Sequence, residues 1–165
     1  MYVNKSIFAD TDKAEIEDIE ALTAVGGEVL MVGSHSRSKK CKTQSERRRL
    51  GLGSERVKTN DEEWVVRTSS TEACRDVLFG GASGEDVGRI CAAIVAAEQK
   101  EDCTGTFNIE GALTDSEGRV WLGLRAPVVA GLGAPMLRLS ADFMAQPALS
   151  LDAVAWVGPT TGEGI

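Results

Sequence analysis

The sequence predicts a mainly β fold, antiparallel strands with a helical hairpin inserted among them, and three observations carry that expectation. Short apolar segments of strand length alternate or run on and then stop at glycine turns. Helical periodicity is confined to about residues 70–100. The same strand, turn, strand and glycine grammar recurs after 90 residues. At 165 residues the chain is read as a single domain over 1–165.

Each element follows from its own pattern. After residue 15, Asp18 and Glu20 alternate with Ile19 and Ala21 up to Gly26-Gly27, which reads as a strand entering a hairpin. Val29-Leu30-Met31-Val32 is an apolar return strand ending at Gly33. Residues 34–45 are polar and basic and read as an exposed connection; Arg47 to Leu52 gives a peripheral strand and Trp64-Val65-Val66 another. Ser69 with Glu72, and Ser83 with Asp86, have capping-box spacing and open two helices. In the second, Val87, Ile90, Cys91, Ile94 and Val95 form one buried stripe. Strands resume with Phe107 to Ala112, turn at Asp115-Ser116-Glu117-Gly118, and continue through Val120-Trp121-Leu122, Met136 to Leu139 and Asp152 to Val157.

Charge and cysteine content exclude several classes. The chain has a net charge of −7, yet the window from Arg37 to Arg49 holds seven basic residues and one acid, a local +6 that leaves −13 on the remainder. That window contains no aromatic residue to stack a base, so it reads as a solvated loop and nucleic acid is disfavoured as a partner. Cys41, Cys74, Cys91 and Cys103 form no C-x-x-C pair, which argues against a zinc knuckle. With no apolar leader and no membrane-length apolar run, the expectation is a cytoplasmic chain with four free thiols and no membrane partner. Nucleophile-elbow, zincin, P-loop, dinucleotide and EF-hand motifs are absent from the sequence.

The repeat lays Asp18-Ile19-Glu20 on Asn108-Ile109-Glu110, Leu30 to Gly33 on Val120 to Gly123, and His35 on Arg125. A propeller blade takes roughly 40–50 residues, so this step equals about two blades, or one blade and the helices. Asp18-Ile19-Glu20, Gly33-Ser34-His35-Ser36, Asn108-Ile109-Glu110-Gly111 and Gly123-Leu124-Arg125-Ala126-Pro127, in that order, resemble a bacterial family of unknown function grouped with the phytase-like β-propellers. Ala21 stands where the family usually has glycine. The resemblance implies a partial β-propeller-like fold, incomplete at the C-terminus near Gly162-Glu163-Gly164-Ile165, with open sheet edges that favour self-association.

Within that frame the ligand-binding candidates are Asp18, Glu20, His35, Arg37, Asn108, Glu110 and Arg125. Alternation puts each acidic or amide pair on one face of its strand, and convergence of the two strands sets Glu20 and Glu110 up as calcium ligands, the alternative being carboxylates that fix strand register through backbone or arginine. His35, Arg37 and Arg125 form an anion site in which guanidinium forks hold phosphate or carboxylate oxygens and the imidazole moves a proton; the alternative is that His35 anchors its loop and Arg125 pairs with Glu20 or Glu110. Two functions remain open: a small anionic or phosphorylated ligand bound with phosphoesterase-like hydrolysis, calcium assisting, or a non-enzymatic protein-interaction scaffold.

Overall fold

The computed structural model describes residues 16–44, 47–53, 64–68, 78–80, 83–103, 105–143 and 149–158. The fold is mainly β. Strands β1 (Ile19–Val25), β2 (Glu28–Gly33), β3 (Arg49–Gly53) and β4 (Trp64–Thr68) form one antiparallel sheet in sequence order; helix α1 (Glu85–Glu98) follows. Strands β5 (Asn108–Thr114), β6 (Val120–Ala126), β7 (Ala134–Leu139) and β8 (Leu151–Val157) form a second sheet of the same order.

The turns are set by local chemistry. Gly26 and Gly27 both have positive φ, 58° and 87°, which a two-residue hairpin with the right twist requires and which side chains resist. Between β5 and β6, one Asp115 oxygen accepts the backbone N–H groups of Glu117 and Arg119 at 2.9 and 3.0 Å, while the other accepts Arg119 Nε–H and Trp121 Nε1–H. These donors, with Trp121 contributing most, hold the Asp115 carboxyl far below the usual range.

Several expectations are corrected by the coordinates. The first predicted helix lies outside the described residues apart from 78–80, where Leu78 and Phe79 are buried. The second begins at Glu85 after Gly84, and no side-chain cap forms, so the Ser83–Asp86 box is not made; Glu85 and Asp86 instead place negative charge against the dipole of the first turn. The buried stripe is Val87, Ile90, Cys91, Ile94 and Ala97, and Val95 is 46% exposed. At about 100° per residue Val95 points more than a quarter turn away from the centre of that stripe, whereas Ala97 returns to it. Strand β3 is not peripheral, since it pairs with β2 on one side and β4 on the other.

The expectation of four free thiols is overturned at Cys41, Cys91 and Cys103, and Cys74 lies outside the described residues. Cys41 is bonded to Cys103, with Cα atoms 5.5 Å apart, and Cys91 is disulfide-bonded as well. Cys41 lies in the β2–β3 connection and Cys103 just beyond α1, so the bond closes a long loop whose ends the sequence pattern does not connect. Disulfides persist in oxidising surroundings, which removes the thiol argument for a cytoplasmic chain. Among the described residues no helix is long and apolar enough to cross a membrane.

One cluster joins the two sheets and α1. Ala21, Leu30, Val32 and Leu50 from the first sheet meet Ile109, Leu122, Leu124 and Leu137 from the second, with Ile90 and Ile94 of the helix. Side chains such as Leu30, Ile90 and Leu122 are fully excluded from solvent, each contributing roughly 1.5–3 kcal/mol by burial.

Candidate functional site

Strands β1 and β5 lie side by side and run in the same direction. At their starts the Ile109 N–H donates to the carbonyl of Ser34, just beyond β2, at 2.8 Å. Towards their ends Thr23 Oγ1 and Thr114 Oγ1 are 2.9 Å apart, and the Thr114 hydroxyl also donates to the Ala24 carbonyl. The first residues of the two strands, and with them the acidic pairs, therefore share one end of the junction.

Backbone irregularity aims the two glutamates. The register slips between Ile19 and Ala21 in β1 and between Ile109 and Gly111 in β5, leaving Glu20 and Glu110 at equivalent bulges. A bulged residue has no cross-strand partner and its side chain is re-aimed. Asp18, just before β1, adopts φ of 58°, a conformation that aspartate tolerates.

The charges around these bulges are unequally satisfied. Asp18 accepts the Ser34 hydroxyl at 2.7 Å and pairs with Arg47 at 3.0 Å. Glu110 accepts Arg125 at 2.6 Å and the Asn108 amide at 3.3 Å. Glu20 makes no hydrogen bond or ion pair among the described residues, and its carboxyl is raised above the ordinary value by burial, then by the charges of Asp18 and Glu110, against the opposing pull of Arg125 and Arg47. Asn108 Oδ1 is buried without a donor. Three carboxylates thus face two guanidiniums, and both guanidiniums are already paired.

The remaining sequence candidates are placed elsewhere. His35 has no solvent exposure; its Nδ1–H donates to the Gly33 carbonyl at 2.8 Å and its ring meets Phe107 edge-on at 6.1 Å. Burial lowers its pKa to about 4, so the neutral ring is an anchor under the loop, out of reach of a ligand at the bulges. Arg37 pairs with Glu98 at 2.6 Å, and Glu98 also accepts the Phe107 N–H at 3.3 Å. The expected union of His35, Arg37 and Arg125 at one anion site is not formed.

The equivalence of His35 with Arg125 also fails. Ala24 pairs with Val29, and Thr114 with Val120, so the connection is one residue longer in the second sheet. The repeat step is 90 between β1 and β5 but 91 between β2 and β6, which puts Ser34 opposite Arg125. The basic window is likewise not a uniformly solvated loop: Lys39, Lys40 and Lys42 are exposed, while Arg37 and Arg47 are paired and Arg48 is buried. Among the described residues no group of three or more His, Cys, Asp or Glu side chains is arranged to hold a metal ion. Of Glu20 and Glu110, the expected calcium ligands, Glu110 is paired with Arg125 instead, and the charge of Arg125 also acts on Glu20.

Sequence reasoning missed Arg47 and Ser34 as members of the site. The Ser34 hydroxyl sits in the Gly33-Ser34-His35-Ser36 segment, but its partner, 16 residues back, is fixed only by strand pairing. It also missed a cleft of about 370 Å³ at the far end of β1, lined by Val25, Arg119, Arg138, Ser140, Phe143 and Asp152. Arg138 there pairs with Asp152 at 2.6 Å and lies over the Trp121 ring at 5.6 Å. Comparison of the chain with family models, with curated proteins and with solved structures gives no match.

Proposed function

We propose that the chain is a non-enzymatic, propeller-like interaction module whose acidic bulge edge receives a basic group from a protein partner. The observation that carries this reading is the surplus of acceptors: an unpaired Glu20 carboxylate beside a Glu110 whose donors, Arg125 and Asn108, both go to one of its two oxygens. Such a set is completed by a lysine or arginine, which donates hydrogen bonds and balances the excess charge. An anion would have to displace Glu110 from Arg125 and sit against net negative charge, so phosphate recognition is the weaker reading. The hydrolytic reading loses its proton carrier with His35 buried. The disulfides favour an oxidising working environment for the module.

Titration with an oligo-arginine peptide tests the reading, with inorganic phosphate as the opposing probe. Glu20→Gln combined with Glu110→Gln is expected to weaken peptide binding about tenfold or more, consistent with loss of charge-assisted hydrogen bonds. The pair Glu85→Gln and Glu117→Gln removes the same charge from other exposed positions and is expected to leave affinity nearly unchanged. Because the Glu20 carboxyl is raised, peptide affinity falls as pH drops through that raised value. Equal weakening in both double variants, or tighter binding of phosphate than of peptide, refutes the proposal.

A further inference from the structure

The two sheets use opposite faces where they meet. With the steps of 90 and 91 residues given by the strand pairing, Leu22 and Met31 correspond to Ala112 and Leu122, and Thr23 and Leu30 correspond to Leu113 and Trp121. In the first sheet the face carrying Leu30, Val32 and Leu50 enters the shared core. In the second sheet the core face is the other one, carrying Ala112, Leu122 and Leu137. The junction is therefore head-to-tail, one face of one unit on the opposite face of the next.

Each unit consequently retains much of the face that its neighbour has used. On the first sheet that face carries Leu22, Ala24 and Val29 in the open and Met31, which is already buried where Ile16 lies over Gly51. On the second it carries Leu113, Trp121, Met136, Ala155 and Val157, with Arg138, paired to Asp152, lying over the Trp121 ring. Six large apolar side chains are exposed among the described residues, and four of them, Leu22, Val29, Leu113 and Val157, lie on these two faces. The internal contact between Thr23 and Thr114 would become, in the unused pair, Leu113 against Ala24, an apolar contact in place of a hydrogen bond.

We infer that a second copy of this chain covers these faces, the second sheet of one copy seating on the first sheet of the other as the two sheets already do within one chain. Repetition of a head-to-tail contact closes into a ring when the rotation permits. The interface is between sheet faces, not the open sheet edges that the sequence suggested, and it does not depend on what the acidic edge binds.

Sedimentation equilibrium of the full chain over a wide concentration range tests this. A mass of two or more whole chains is expected. Leu113→Arg and Leu22→Arg, each at a position already 47% and 43% exposed, leave the fold intact and are each expected to weaken association by about 30-fold or more, the loss typical of a buried interface anchor. Mixing the two variants restores a one-to-one complex, because the intact Leu113 face of one meets the intact Leu22 face of the other. That complex is weaker than the wild-type assembly, having one contact where a closed ring has more. A wild-type chain that stays monomeric at every concentration overturns the inference, as does retention of full association by either variant alone, which would indicate a face pairing with itself. Loss of oligo-arginine binding has no bearing on either result.

Discussion

Acidification from neutral pH to pH 4 is expected to weaken the fold through one side chain, the buried imidazole of His35. The ring titrates near its ordinary 6.5 when the chain is unfolded and at about 4 when folded, because burial strips water from the charged form. Between those values the unfolded state binds more protons than the native state. The contribution is fully present above about 6.5 and is lost as pH falls through about 4, amounting to about 3 kcal/mol at the lower end. With a urea dependence of about 2 kcal/mol per molar, the unfolding midpoint moves down by about 1.5 M. Urea unfolding at a series of pH values measures the change. His35→Asn serves as reference, since asparagine tolerates the φ of 60° at that position and does not titrate. Glu20 acts in the opposite sense, its raised carboxyl taking up a proton more readily in the folded state, and it is common to both proteins, so their difference isolates the imidazole. As His35 is the sole histidine, its ring C–H resonances give the folded pKa directly. A ring that titrates at 6.5 in the folded protein, or a variant with the same pH slope as wild type, refutes the argument.

Three further outcomes are expected. Cys41→Ser opens a loop of 62 residues and costs about 4 kcal/mol by the chain-entropy relation, read as a lower urea midpoint under matched conditions; reduction, which breaks the Cys91 disulfide as well, is expected to cost more. Gly33→Ala drives a methyl group into the Arg47 carbonyl and against that of Glu17 at 3.3 Å, both backbone atoms that cannot swing away, so a loss of about 1–3 kcal/mol is expected from thermal or urea unfolding. Ile94→Ala leaves a hole in the core and costs about 2–5 kcal/mol, whereas Val95→Ala, one residue on but facing solvent, changes the midpoint by less than about 0.5 kcal/mol; comparable losses at the two positions would contradict the helix orientation.

The acidic residues were legible as a pair of pairs because their repeat is written along the chain and strand alternation is local. Their imbalance was not legible. Whether Asp18, Glu20 or Glu110 is left without a cation depends on Arg47 and Arg125 reaching them across strands and on bulges that leave no trace in apolar periodicity. His35 beside two serines and two residues before an arginine has the composition of a polar loop, yet its ring lies against Phe107, 72 residues away. The free-thiol reading failed for the same reason: spacing excludes a zinc motif but does not bring Cys41 to Cys103.

By itself the sequence determined the mainly β class, the hairpin turns at Gly26-Gly27 and Asp115 to Gly118, the position of α1 and most of its buried stripe, and the duplicated unit. These follow from torsional preference and from the period at which side chains return to one face, both carried within a few residues. Only the tertiary structure decided which face of each sheet is covered, where the bulges re-aim the glutamates, which charges are paired, and that the lone imidazole is held neutral in the core. Those outcomes are set by contacts between distant segments, where packing and desolvation outweigh anything a local pattern encodes.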